Sequence, residues 1–418
     1  MPKGGIRKYP DQCPRCKLSE KEARCSRNNW GRHILRCKGI GASRHFSLCA
    51  QLSFSSSSPS QSEDRVSAPV AVASPNDPVT EFLSTPDGPL YYLAQAFKQA
   101  IDRSRGISSS SAPPEADKWR ALSLDPPEIF PAGECWVKRP LYDVFLNDLL
   151  HAFDKSTTKV YLRGKPNDPH PDVPMLQVIR QLEAPKVAET YYATNLYSEM
   201  AELRIPERFA SRHAPYYNED GIWTTTNITP KYTFVDLHID HGRHGITTLH
   251  GGCIKIFALY CPTPHNLEVV ERHCDSDDIF IHTWDKLEGG QFVVFSEEEA
   301  IYLPPGCIHA TLTLKGGLVP GIEYSSVGCL EMSAKILDIN ARKFSLNSSD
   351  LRPFLETVFI SMSTGDESEK ALAARHICER WVALGRVKAD LSPKVKRLLA
   401  KSCAHCGRAW KQHKKKRN

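Results

Sequence analysis

An imidazole and a carboxylate two residues apart at the end of an apolar strand restrict this chain more than any other feature. Phe234, Val235 and Leu237 lead into His238-Ile239-Asp240, and residues two apart on a strand point to the same face. His238 and Asp240 can therefore hold one metal ion together, and a third ligand must come from elsewhere in the sheet. The segment 291–315 supplies it. An apolar run at 291–295 and a strand Ala300-Ile301-Tyr302-Leu303 precede the turn Pro304-Pro305-Gly306, and His309 then begins the returning strand ATLTL. Proline and glycine fix such a turn.

Two imidazoles and one carboxylate with the remaining positions open form the donor set of non-haem Fe(II) oxygenases. Lys255 adds a constraint that a bare metal site does not explain. It follows His238 by seventeen residues inside the β-prone run CIKIFALY, where a buried ammonium is costly without an anionic partner. The distal carboxylate of 2-oxoglutarate is such a partner.

Together these residues resemble the JmjC 2-oxoglutarate oxygenases of the cupin or jelly-roll class. The matching features are the HxD of His238 and Asp240, Lys255 with Cys261-Pro262 just beyond it, and the LPPGCIH that ends on His309. The resemblance covers roughly the middle third to half of the chain, and the combination is far more specific than any one part. It implies Fe(II) held by His238, Asp240 and His309, 2-oxoglutarate held by Lys255, and dioxygen as the oxidant. It also points to Thr248, which stands where many relatives carry an asparagine that touches the co-substrate. Relatives often place a threonine three residues before the first histidine; here that residue is Val235, and Thr233 or Tyr232 would have to take its part.

Other candidates are weaker. His273-Cys274-Asp275 repeats the HxD pattern, but it lies in the polar run ERHCDSDD with no apolar strand before it, and the residue seventeen on is Gly290. His241, His244 and His250 crowd the loop after the first pair and read as surface or supporting residues.

A chain of 418 residues has material for two or three domains and a sizeable core. The polar, basic N-terminus does not read as a signal peptide, and no apolar run reaches the roughly eighteen residues that span a bilayer. Fourteen cysteines without a secretory signal favour thiols and metal sites over a disulfide framework, so an intracellular protein is expected. The net charge of +6 conceals an asymmetry: residues 1–49 carry +9, residues 384–418 carry +11, and the body between them carries −14. Basic ends of this kind suit phosphate backbones, whereas an acidic body suits cationic, lysine-rich peptides. Charged ends that only aid solubility would look the same.

Cys13-x2-Cys16 and His33-x3-Cys37 have the paired spacing of a tetrahedral zinc site, with Cys25 in reserve and Arg24, Arg27, Arg32 and Arg36 around Trp30. The tail repeats the theme with Cys403, Cys406 and His413, beside the run KKKR. Three ligands in register make this second zinc site the weaker of the two, and the basic run alone would serve nuclear import or phosphate contact.

Between these ends, residues 50–80 are rich in Ser, Pro and Ala and read as a disordered linker. Residues 89–103 have helical spacing, and 126–230 hold short mixed elements, with Trp223 and Thr224 to Thr226 placed either at a barrel mouth or in an ordinary turn. Three amphipathic segments follow Tyr324. The expected class is α+β: a double-stranded β-helix of jelly-roll, cupin-like type with flanking helices. The expected domains are a zinc-finger-like module (1–49), the linker (50–80), the JmjC jelly-roll core with N-terminal helical support (81–330), a basic helical C-terminal region (331–400) and a Cys/His basic tail (401–418).

The expectation for function is a nuclear Fe(II)/2-oxoglutarate oxygenase that hydroxylates or demethylates a protein side chain, with a histone or another lysine-rich chain as substrate and nucleic acid contacted through the basic ends. Two alternatives stand beside it: an oxygenase acting on a nucleic-acid base, and a nucleic-acid-binding protein with a catalytically silent barrel. The base oxygenases of TET type use an arginine beyond the last histidine, and no arginine occurs between His309 and Glu331.

Overall fold

The computed structural model describes residues 77–104, 106–108, 116–152, 159–163, 169–170, 173–198, 202–215, 222–274, 276–343 and 348–380. The two Cys/His sets at 13–37 and 403–413, both basic ends and most of the expected linker lie outside these residues.

Among the described residues fourteen strands run in order β1 (Ile107–Ser108), β2 (Glu128–Pro131), β3 (Trp136–Lys138), β4 (Lys159–Leu162), β5 (Tyr191–Leu196), β6 (Glu202–Leu203), β7 (Ile222–Thr229), β8 (Phe234–Ile239), β9 (His244–Thr248), β10 (Ile254–Tyr260), β11 (Gln291–Ser296), β12 (Glu299–Leu303), β13 (Ile308–Lys315) and β14 (Gly317–Tyr324). One sheet has the order β1-β11-β10-β13-β8, the other β2-β12-β9-β14-β7-β5-β4, and β3 pairs with β6. From β7 to β14 the chain crosses repeatedly between the two large sheets, and every pair among these eight strands is antiparallel. This mixed architecture is compatible with a jelly-roll core.

The period of two along each strand sorts side chains into an outer and an inner set. Outside the five-stranded sheet, Ile256, Ala258, Ala310 and Leu312 are buried with Phe97, Ala100 and Ile101 of the helix Tyr91–Arg103. That helix falls where the spacing at 89–103 predicts one. Outside the seven-stranded sheet, Ile228, Ile246, Tyr302, Leu318 and Ile322 pack with Phe145, Leu149 and Phe209 from the helices Tyr142–Ala152 and Glu207–His213. Between the sheets, Phe257, Leu259, Phe295, Ile301, Leu303 and Val319 form a third cluster that Met332 and Ile336 extend. The rest of the interior is a polar cavity.

The helices Leu330–Lys343, Ser348–Thr364 and Glu367–Glu379 follow the barrel and share the buried residues Leu337, Leu351, Phe354, Val358 and Ile377. Asp366 and Glu369 form a capping box at the start of the last one. The first helix locks onto the loop beyond Asp240: Ser333 Oγ donates to the Gly242 carbonyl at 3.2 Å. Gly242 has φ +73°, and a Cβ there would lie 2.8 Å from the Ser333 Cα, so only glycine fits without a shift.

Two expectations need correction. The stretch 50–80 does not read as linker to its end, because a helix starts at Pro78 (Pro78–Leu83). The Asp77 carboxylate accepts from the Val79 and Thr80 amides and Pro78 opens the first turn, a combination that favours a helix start in a Ser/Pro-rich context. Trp223 and Thr224 to Thr226 do not form a turn but belong to the regular strand β7, with Trp223 paired to Glu323 and Thr225 lining the cavity between the sheets. No helix among the described residues is long and apolar enough to cross a membrane.

Candidate metal centre

Strand β8 ends at Ile239 and delivers His238 and Asp240 side by side, while the turn Pro304 to Cys307 returns the chain so that His309 pairs directly with His238 across β8 and β13. The two rings have centroids 4.2 Å apart. Asp240 Oδ1 lies 3.7 Å from His238 Nε2, and Oδ2 lies 3.8 Å from His309 Nε2. One ligand atom from each residue falls within 4.8 Å of the others. Two atoms bound to one ion at ~2.1 Å are separated by at most ~4.2 Å, so the carboxylate is within reach of an ion shared with either ring.

The tautomers also suit a metal. His238 Nδ1 donates to the Asp236 carbonyl at 2.7 Å and His309 Nδ1 to the Cys307 carbonyl at 3.1 Å. Both protons are thereby committed to Nδ1, and both Nε2 lone pairs face Asp240. Burial, reinforced by the charge of His238, pushes His309 down to about 4, which keeps that ring neutral at physiological pH. Burial pushes the Asp240 carboxyl up, but His309, His238 and His241 outweigh it and hold it below the usual range. Asp236 steadies β8 from behind, its carboxylate accepting from the amides of Ile279 and Phe280 at 2.6 and 2.9 Å.

These residues open into a cavity of about 310 Å³, within the range of small-molecule sites. Val235, His238, Lys255, Phe257, His309 and Thr311 line it from one sheet, and Thr225, Asn227, Gly245, Thr247, Val319, Gly321 and Glu323 from the other. The Lys255 residue is 2 % exposed. Its ammonium donates to Thr311 Oγ1 at 3.5 Å, and no carboxylate among the described residues pairs with it. Burial pushes it down to about 8. A cation withdrawn from water in this way is several kcal/mol out of balance until an anion joins it.

The structure brings together four of the expected residues, His238, Asp240, His309 and Lys255, and leaves three outside. Thr248 is one step out of phase with Gly245 and Thr247, which face the cavity. Its hydroxyl points away and donates to the Pro320 carbonyl at 2.9 Å. Thr233 and Tyr232 sit in the turn before β8. Tyr232 has φ +70° and its amide donates to the Thr313 carbonyl, Thr233 is fully buried, and neither lines the cavity. Val235 does line it, so the position three residues before His238 faces inward but carries no hydroxyl.

The other histidines weighed as candidates do not join the cluster. His244 is buried, bonded to Tyr302 and Ser326 and stacked on His213, and His250 bonds the Pro140 carbonyl. These two are interior supports and not surface residues, whereas His241 is exposed. His273 bonds the Val269 carbonyl at the end of its helix, and Asp275 lies outside the described residues. Sequence reasoning missed Thr311, although it stands two residues beyond His309 in the same strand and must share its face. It also missed Asn227, Thr247, Glu323 and the stacked pair Tyr161 and Tyr192, which arrive from other strands with no local signal.

No family model matches this chain. Among curated proteins it is similar to the JmjC domain-containing histone demethylation protein 1 of three yeasts. The Candida glabrata protein is 27% identical over 110 residues, 26% of this chain and 27% of the relative. The Debaryomyces hansenii protein is 26% identical over 141 residues (29% and 27%), and that of Kluyveromyces lactis 27% over 111 residues (25% and 22%). The chain spans about a quarter of the length of the curated relatives that it matches.

Proposed function

We propose that this JmjC-domain chain is an Fe(II)- and 2-oxoglutarate-dependent oxygenase that hydroxylates or demethylates a protein side chain. The observation that carries the reading is Lys255: a buried ammonium with no anionic partner among the described residues, in the same cavity as a His/Asp/His cluster whose free nitrogens converge. His238, Asp240 and His309 would hold the iron, and Lys255 with Thr311 would bind the far carboxylate of 2-oxoglutarate through a charge-assisted hydrogen bond. When bound, iron and 2-oxoglutarate together activate dioxygen for insertion of one oxygen atom into a C–H bond. The chain's own contribution is positional. The two imidazoles are fixed by main-chain carbonyls, the apolar cluster around Phe257 and Leu303 keeps water from one side of the cavity, and Asp240 stands at its open side with 41% of its side chain exposed.

The names of the yeast relatives support a histone or a similarly lysine-rich substrate and a nuclear site of action, as does the acidic body of the chain. We take the sets Cys13, Cys16, His33, Cys37 and Cys403, Cys406, His413 as structural zinc sites, and the basic ends as contacts to nucleic acid.

The test is anaerobic titration of the full chain with Fe(II) and 2-oxoglutarate, followed by succinate release on a methyl-lysine peptide library and on methylated DNA. Binding of both with turnover on peptides supports the reading. Turnover on DNA alone would move the substrate to a base, and binding of neither would leave a silent barrel.

A further inference from the structure

Glu323 faces the metal cavity from the sheet opposite Lys255 and does nothing in the reading above. It lies on β14, paired with Trp223 on β7 and with Gly245 on β9, and shares its face with Val319 and Gly321, which also line the cavity. Its side chain is 36% exposed. Withdrawing that carboxylate from water carries a cost unless cations or hydrogen-bond donors meet it.

One partner opposes that cost incompletely. Arg243, its side chain 4% exposed, reaches Glu323 Oε2 through Nη1 at 3.3 Å, while its Nη2 donates to Glu356. Among the described residues Arg243 is the one ion partner of Glu323. Glu356 also accepts from Arg352 Nε at 2.7 Å. The two guanidiniums flank the Trp223 ring, with their central carbons 5.2 and 3.9 Å from its centroid. Arg243 is therefore shared between Glu356 and Glu323 and reaches Glu323 at Oε2.

We propose that Glu323 is a specificity-determining residue whose carboxylate receives a cationic substrate side chain, an N-methylated ammonium, beside the metal centre. This rests on the oxygenase reading. A half-withdrawn carboxylate gains a Coulombic contact from a cation and is left under-solvated by a neutral side chain of the same shape. Arg243, Glu356 and Arg352 are positioning residues that fix the direction of the carboxylate.

The test is direct binding, by calorimetry, of two peptides to the full-length protein loaded with Mn(II) and 2-oxoglutarate. The peptides differ in one side chain, trimethyl-lysine in one and its neutral tert-butyl carbon isostere in the other. The wild type should prefer the cation by about tenfold or more. Glu323→Gln, which can keep its hydrogen bond to Arg243, should bind the two equally with unchanged Mn(II) and 2-oxoglutarate affinity, and Glu323→Asp should restore part of the preference. Equal binding by the wild type, binding of neither peptide, or a preference that survives in Glu323→Gln overturns the proposal. Failure of the wild type to take up Mn(II) and 2-oxoglutarate would instead overturn the oxygenase reading, and the peptide preference is still read on the unloaded protein.

Discussion

His238 and His309 are direct partners across an antiparallel pair, and the candidate ligand pair His238 and Asp240 is thereby brought to the third candidate, His309, by strand register. Changes to groups that merely touch a metal ligand cost about 10–100-fold in affinity, so removal of a ligand itself should cost more. His238→Ala, Asp240→Ala and His309→Ala should each abolish stoichiometric Fe(II) binding and substrate-dependent succinate release, with little change in circular dichroism. Full succinate production by any of the three would show that the cluster is not the reaction centre.

Lys255→Ala should spare iron binding and raise the 2-oxoglutarate concentration for half-saturation by about two to three orders of magnitude. Leaving a buried carboxylate without its cation costs about 3–5 kcal/mol. An unchanged titration curve would separate Lys255 from the co-substrate.

The same lysine makes a prediction about the unliganded protein. Burial holds its folded pKa at about 8, below the ordinary lysine value of 10.5, so the unfolded chain binds this proton more tightly. Stability should therefore rise with pH between about 8 and 10.5, and the full penalty, about 3 kcal/mol, should be present below that window. Lys255→Met removes the charge and should flatten this part of the profile and stabilise the apoprotein at pH 7. Urea unfolding of both proteins at pH 7, 9 and 10.5 measures the difference, and parallel profiles would count against an unpaired buried ammonium.

Gly242→Ala forces a side chain into a left-handed position against the Ser333 backbone. The expected cost is about 1–3 kcal/mol, a fall of about 2–6 °C in Tm, with weaker metal binding because the Gly242 amide bonds the Asp240 carbonyl at 2.6 Å. Calorimetric melting with and without Mn(II) reads both effects. An unshifted Tm would mean that the helix gives way at no cost.

If the basic ends contact phosphate, deleting residues 1–49 and 384–418 should abolish binding to duplex DNA while uncoupled 2-oxoglutarate turnover persists. With about six to ten phosphate contacts the intact chain should show a log–log salt slope of about −5 to −9. Equal DNA binding by the shortened chain would make the ends solubilising only.

The parts of the site that were legible in the sequence are those encoded locally. His238-x-Asp240 needs only the two-residue period of one strand, and the Pro304-Pro305-Gly306 turn announces the reversal that brings His309 back. Lys255 is conspicuous because a cation interrupts an apolar run. Thr248 was misplaced because spacing alone does not set the phase of β9; the pairing of Gly245 with Leu303 and of Thr247 with Gly321 does. Glu323, Asn227 and Tyr192 reach the cavity through pairings between strands distant in the chain, and no local pattern marks them. The helix at Pro78 was hidden by composition, since one cap and one proline outweigh a Ser/Pro-rich neighbourhood.

The carbonyls that fix His238 and His309 belong to residues 236 and 307 of the main chain, and a carbonyl is common to all twenty amino acids. The orientation of both rings is consequently insulated from side-chain replacement at those positions, whatever such a change does to packing. The opposite sheet has no such protection, since what it offers the cavity at Thr225, Asn227, Thr247 and Glu323 is side chain alone. A lineage carrying this barrel is thus free to alter what it accepts by point mutation on one wall while the other wall keeps the geometry of its imidazoles.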